Sequence, residues 1–150
     1  MMWGCICFDS VWTLTAAEGN INSAKNIEIL DKNLWPVVVW NFEGKEYLFI
    51  NDNAPVHRAH TVDNYKDQSE VTSMKWLAQS PDLNIIQNIW LYMKRELQKS
   101  AINIATKNDL LREIQSVWWN IELDYIRNVY QSIPDRLDNV IKMRAHLTKY

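Results

Sequence analysis

A chain of 150 residues with 47% hydrophobic residues and eight Trp is long enough for one domain with a buried core and too apolar for intrinsic disorder. The net charge of −2 gives no footprint for nucleic acid by itself, and it is uneven: residues 1–90 hold six Lys and Arg against eleven Asp and Glu, residues 91–150 ten against seven. No apolar run approaches the ~18 residues that span a bilayer, the first residues lack a signal peptide's basic and long apolar regions, and Cys5 and Cys7 sit too close along a strand to form a disulfide framework, which fits a reducing, intracellular setting.

No repeat, low-complexity tract or linker interrupts the chain. Residues 2–8 are apolar and bounded by Asp9-Ser10, and residues 11–15 are rich in β-formers; they read as neighbouring strands joined by a tight turn. A helix follows, with Ser23 as its expected cap and Ile27, Leu30 and Leu34 at helical spacing. Pro36 ends or kinks it, and residues 37–40 extend it or bend away. Tyr47-Leu48-Phe49-Ile50 is a continuous apolar run too short for a helix, the pattern of a strand covered on both faces. Asp52 then falls at the carboxyl end of a buried strand, where open α/β sheets place their ligand sites.

Residues 57–68 read as a polar surface helix and 71–76 as another strand. Ser80-Pro81-Asp82 is a strong helix start, with a cap, a first-turn Pro and an acid at the positive dipole end. Leu83, Ile86, Trp90, Met93 and Leu97 form its apolar stripe, and Gln87 flanks that stripe on the helix–sheet seam. Thr106 and Asp109 read as a capping box. Leu110, Ile114, Val117, Trp118 and Ile121 form one apolar face. Ile126, Val129, Tyr130 and Ile133 form a second, stopped by Pro134, and Leu137, Val140 and Ile141 continue after it. The order is that of an α/β domain with a helical C-terminal extension.

Several residues carry both a chemical and a plain reading. His57 and His60 lie three apart, but no third and fourth ligand accompanies them, so surface histidines are expected. Asp9, Asp63 and Asp67 read as turn or surface acids, and Asp82 as a cap. Cys5 and Cys7 read as buried thiols. Trp118 belongs to the core, whereas Trp119 lies off the stripe, where it could stack on a base or cover a partner. Lys94, Arg95 and Lys99 are a basic run on the helix of Gln87, suited to phosphate contact or to a solvated face.

Several phrases together carry a family likeness: Trp3-Gly4-Cys5-Ile6, Glu18-Gly19-Asn20-Ile21-Asn22, Leu34-Trp35-Pro36, Asp52-Asn53-Ala54-Pro55 with His57, Gln79-Ser80-Pro81-Asp82-Leu83-Asn84, and the closing His146-Leu147-Thr148-Lys149-Tyr150. The chain resembles the catalytic domain of Tc1/mariner-type transposases, a branch of the DDE enzymes, over nearly all its length. The resemblance implies an RNase H-like, DDE integrase-type mixed sheet flanked by helices, Mg²⁺ or Mn²⁺ as cofactor, and a nuclear setting. It implies transposon-end DNA as the partner, rather than a membrane or a small-molecule substrate. It places Asp52 as a metal-binding catalytic acid, His57, Lys94, Arg95 and Lys99 toward DNA, and Gln87, after 34 intervening residues, where the family has its last catalytic Glu.

The departures set the expected outcome. The family's first catalytic Asp lies on a strand upstream of the Trp-Gly-Cys phrase, so neither that strand nor the helix-turn-helix region is expected in this chain. The absent strand would be the sheet's central one, which would leave the Asp52 strand with unpaired backbone groups and a tendency to self-associate. Phosphodiester cleavage by this family needs two divalent ions about 4 Å apart, held by converging acids. An amide at 87 is neutral and presents donors; in a partly buried site its cost to metal binding is several kcal/mol, on the order of 332/(ε·r) at an effective ε of about 20. The expectation is a catalytically dead transposase fragment. The alternative is a protein-interaction module working through its C-terminal helices.

Overall fold

Met2–Cys7 (β1) and Ser10–Ala16 (β2) pair antiparallel across a turn at Phe8 and Asp9, with a register shift between Gly4 and Ile6. The structure, a computed structural model, describes residues 1–52, 54–74, 83–99 and 104–142. Successive side chains of a strand point to opposite faces, and β1 uses both. Trp3 and Cys5 pack against a cluster built on Leu30, Leu34, Val38, Val62 and Val71. Ile6 packs against a second cluster of Val11, Ile89, Met93, Trp118, Ile121 and Ile126. Partial cover on both faces explains why β1 reads as an unbroken apolar run.

The first cluster is made by three helices. Asn22, not Ser23, caps α1 (Ser23–Asn33), its side chain accepting from the Lys25 N–H at 2.9 Å. Ser23 lies one position inside. Leu34 stays helical, and Pro36 falls in the first turn of α2 (Trp35–Phe42), where its missing N–H has no partner to lose. Pro36 therefore starts a second helix, and 37–40 continue it. The expected 57–68 helix breaks at Ala59 into a 3-10 turn, Pro55–Arg58, and α3 (His60–Gln68). α3 is not a purely surface helix: Val62 is 0% and Lys66 5% exposed.

The expected strand at 47–50 is the main difference. It is an extended segment with a single parallel bridge, Phe49 to Ser73. Phe49 donates to Thr72 O at 2.8 Å and accepts from Met74 N at 3.0 Å. Leu48 is exposed, so this is not a strand covered along its whole length. Of the expected 71–76 strand, residues 71–74 are described and contribute this bridge alone. The fold remains α/β, with helices dominating a two-stranded sheet among the described residues.

The second cluster is helical. α4 (Ile86–Lys99) buries Ile89 at 0% and Met93 at 3%; Ile89, absent from the expected stripe, is its centre. The expected start at Ser80-Pro81-Asp82 and the closing His146–Tyr150 lie outside the described residues. The Thr106–Asp109 capping box forms at the head of α5 (Lys107–Trp119). Asp109 also meets Arg112, and the Thr106 bond, followed by the Arg112 bond, holds its carboxyl below the usual range. Pro134 sits in the first turn of α7 (Ile133–Lys142), which follows α6 (Leu123–Gln131) after one residue. Only Val140 of the expected 137–141 face is buried; Leu137 and Ile141 are exposed, as is Leu110 on α5.

Trp118 ties the second cluster to the sheet. Trp118 is 0% exposed, donates Nε1–H to Trp12 O at 2.9 Å and stacks on Trp90 with ring centroids 5.5 Å apart. A Cβ on Gly4 would stand 2.7 Å from the Trp118 ring and 2.9 Å from the Trp90 ring. Gly4 is thus the point where both indoles reach the strand. Trp118→Ala is expected to cost about 3–5 kcal/mol, and Trp119→Ala, at a side chain 60% exposed, to stay within about 0.5 kcal/mol; urea denaturation of both variants measures the difference. Glu70 ends α3 in the left-handed region at φ 55°, with Val71 N donating to Lys66 O at 2.8 Å to close the helix end. Glu70→Gly is expected to raise stability by about 1 kcal/mol, read as a higher urea midpoint at an unchanged slope.

Candidate active site around Asp52

Asp52 follows the Phe49 bridge by three residues. Its Oδ1 accepts from Ala54 N–H at 3.1 Å, the turn that an Asx side chain makes two residues on. Pro55 then fixes the start of the 3-10 turn, which swings His57 back so that Nδ1 lies 2.6 Å from the same Oδ1. A carboxylate oxygen only accepts, so Nδ1 carries the proton. Asp52 is half exposed, at 49% of its side chain, and His57 is mostly covered, at 19%. His57 is therefore not the free surface histidine expected, whereas His60 is exposed.

Beside this pair lies a cavity of about 440 Å³ lined by Asp52, His57, Arg58, Asp63, Lys66, Asp67 and Ser73. Lys66 closes it. Its ammonium donates to His57 O at 3.3 Å and lies 3.7 Å from Asp63, partners that a charge so deeply buried requires. The Ser73 hydroxyl is buried with no partner. Lys66, Arg58 and Ser73 were missed in the sequence. Lys66 had a signal: it sits four residues after Val62, on the buried side of α3.

Gln87 occupies the first turn of α4 and is exposed rather than tucked into the helix–sheet seam; its N–H donates to Asn84 O at 3.1 Å. No hydrogen bond joins it to Asp52 among the described residues. Lys94 lies on the same side of α4, roughly 10 Å and two turns further on, with Arg95 beside it; both are exposed. Lys99, also exposed, is engaged by Glu96 at 2.7 Å. The exposure revises the expected electrostatics. With water around both positions the dielectric is high, and a missing unit charge ~4 Å from a dication weakens metal attraction by about 2 kcal/mol, well below the figure for a partly buried site.

A family model described as DDE superfamily endonuclease matches residues 1–111. The chain belongs to that family. It is 28% identical over 150 residues to the transposable element Tcb1 transposase of Caenorhabditis briggsae, covering 100% of this chain and 54% of that protein. With the Tc1 transposase of Caenorhabditis elegans it shares 27% identity over 150 residues, again with 100% and 54% covered. The chain thus spans about half the length of these curated relatives. The solved Mos1 transposase catalytic domain with raltegravir and Mg is similar at a TM-score of 0.80 and 13% identity, over 99% of this chain and 76% of that one. The Mos1 mariner paired end complex with Mn is similar at 0.73 and 15%, over 95% and 43%. At these identities the structural likeness speaks for the fold, which is RNase H-like as the sequence implied.

Among the described residues, the side chains around Asp52 do not fit a two-ion centre. Among the described residues no three His, Cys, Asp or Glu side chains group so as to hold a metal ion. Asp63 and Asp67 share the cavity with Asp52, but Lys66 and Arg58 stand among them. Asp52 also shares Oδ1 between two donors, and Gln87 adds no charge. Lys66→Ala is expected to lower stability by about 2 kcal/mol, through its packed stem and its lost bond. Lys94→Ala and Arg95→Ala should stay within about 0.5 kcal/mol. Thermal and urea unfolding of the three variants separates the buried cation from the exposed ones.

Proposed function

We propose that this chain is a transposase catalytic domain that has lost strand cleavage and retains weak contact with DNA, in a nuclear setting. The carrying observation is what stands at positions 52 and 87: one half-exposed carboxylate tied to His57, and an amide where the resemblance calls for an acid. The Tcb1 and Tc1 relatives are transposases, and the Mos1 paired end complex carries Mn. Both support a DNA-directed, divalent-ion ancestry. Lys94 and Arg95, on the exposed side of α4 that also carries Gln87, are the residues assigned to phosphate contact, with Lys99 and His57 as flanking candidates.

A cleavage assay on transposon-end duplexes with Mg²⁺ or Mn²⁺ tests this reading. No nicking is expected from the chain or from Gln87→Glu, because two acids still fall short of a two-ion site. Robust metal-dependent nicking that Asp52→Ala abolishes would overturn it. Gel shifts over a salt series should show weak binding whose log–log slope drops by about 0.9 for each phosphate contact removed at Lys94 or Arg95. The second reading, a protein-interaction module, draws on Trp119 at 60%, Leu137 at 40% and Ile141 at 72% exposure on the C-terminal helices. Absence of any DNA binding would favour it.

A further inference from the structure

Away from Asp52, α2 and the segment that follows α3 enclose a groove of about 690 Å³. Part of its lining is aromatic. α2 stops at Phe42, Gly44 turns the chain at φ 68°, and the Lys45 N–H closes onto Phe42 O at 2.9 Å. The return brings the Tyr47 ring to 5.4 Å from that of Phe42, and the Tyr47 hydroxyl donates to Glu70 O at 3.0 Å. Trp35, in the first turn of α2, lines the same groove and is 37% exposed. Three carboxylates join these rings: Glu43, Glu46 and Glu70, all exposed. None of them forms an ion pair among the described residues. Lys45 also lines the groove, but its ammonium donates to Asn41 O at 3.3 Å. Three acids against this one lysine leave the groove with a net charge of −2. Burial, and then the Glu70 charge, raise the Tyr47 phenol above its usual range, so the carboxylate's field reaches the rings. Glu70 holds its place at φ 55°, a strain that glycine would relieve.

We propose that this groove binds an arginine side chain of a basic protein segment, its guanidinium stacked on the aromatic rings and paired with the carboxylates of Glu43, Glu46 and Glu70. Both parts of the lining agree on that occupant. Aromatic faces attract a cation and cover its methylene stem. Unpaired carboxylates accept from the planar fork of donors that arginine carries. A purely apolar ligand would desolvate the three acids without a partner, and the negative balance repels nucleic acid from this face.

The test titrates the intact ¹⁵N-labelled chain with acetyl-Gly-Arg-Gly-Arg-Gly-amide. Shifts are expected at the Trp35 indole N–H and at the Gly44, Tyr47 and Glu70 amides, with the Trp118 indole N–H unmoved. The same peptide with citrulline in place of both arginines keeps the shape and loses the charge; it should bind at least about fivefold more weakly. Glu70→Gly should also weaken binding by about fivefold while raising the urea midpoint, which separates loss of the carboxylate from loss of the fold. Equal affinity for the citrulline peptide, or a Glu70→Gly chain that binds as tightly as the parent, would overturn the proposal. So would the absence of shifts at millimolar peptide, or shifts of the same signals when the protein alone is concentrated, the mark of a second copy in the groove.

Discussion

The contact of Trp118 with Gly4 is the constraint on which the remaining architecture rests. Trp118 comes from α5, Trp90 from α4 and Gly4 from the ribbon, so three elements far apart in sequence meet at one pair of rings. The indole N–H is satisfied by Trp12 O, so the largest fully buried side chain among the described residues carries no polar penalty. Any side chain at position 4 would have to push two aromatic rings away from backbone, in a core with little room to yield.

Much of this was legible. The β1–β2 pair, α1, the Thr106 cap and the core role of Trp118 follow from period, capping chemistry and apolar stripes, which are local properties. The errors cluster where a local signal leaves the tertiary partner unspecified. Tyr47–Ile50 has the composition of a strand in a full sheet, but a strand is a pairing, and among the described residues it pairs through Phe49 alone. Leu137 and Ile141 have helical spacing, yet nothing in α7 tells which side will face a neighbour. Adjacent apolar residues at 89 and 90 fit two overlapping stripes, and only the shared cluster with Trp118 and Ile126 makes 89 the deeper one.

At the site, Asp52 was legible from its motif, but its environment was not. The turn through Pro55 that brings His57 onto Asp52 spans five residues and could be inferred only by knowing the 3-10 geometry. Lys66 reaches His57 across nine residues, from a helix expected to be solvated. The identity of the residue at 87 was plain, whereas its exposure required the start of α4 at Ile86. That exposure shifts the weight of explanation: an amide at 87 bears on any bound ion less through a buried electrostatic field than through the number of donors that can converge.

The ribbon separates two clusters of buried side chains, one under α1 to α3 and the other under α4 to α6, and β1 contributes to both by alternation. A sheet of two strands is a thin partition, and each half is closed largely by its own helices. Cooperativity between the halves must then pass through a few backbone rungs and the Trp118 contact, which makes the protein a candidate for sub-global opening in two units rather than one. The Asp52 turn, packed beside α3, belongs to the α1–α3 unit. Whatever binds around it would report on, and shift, the opening equilibrium of that half without first disturbing the other.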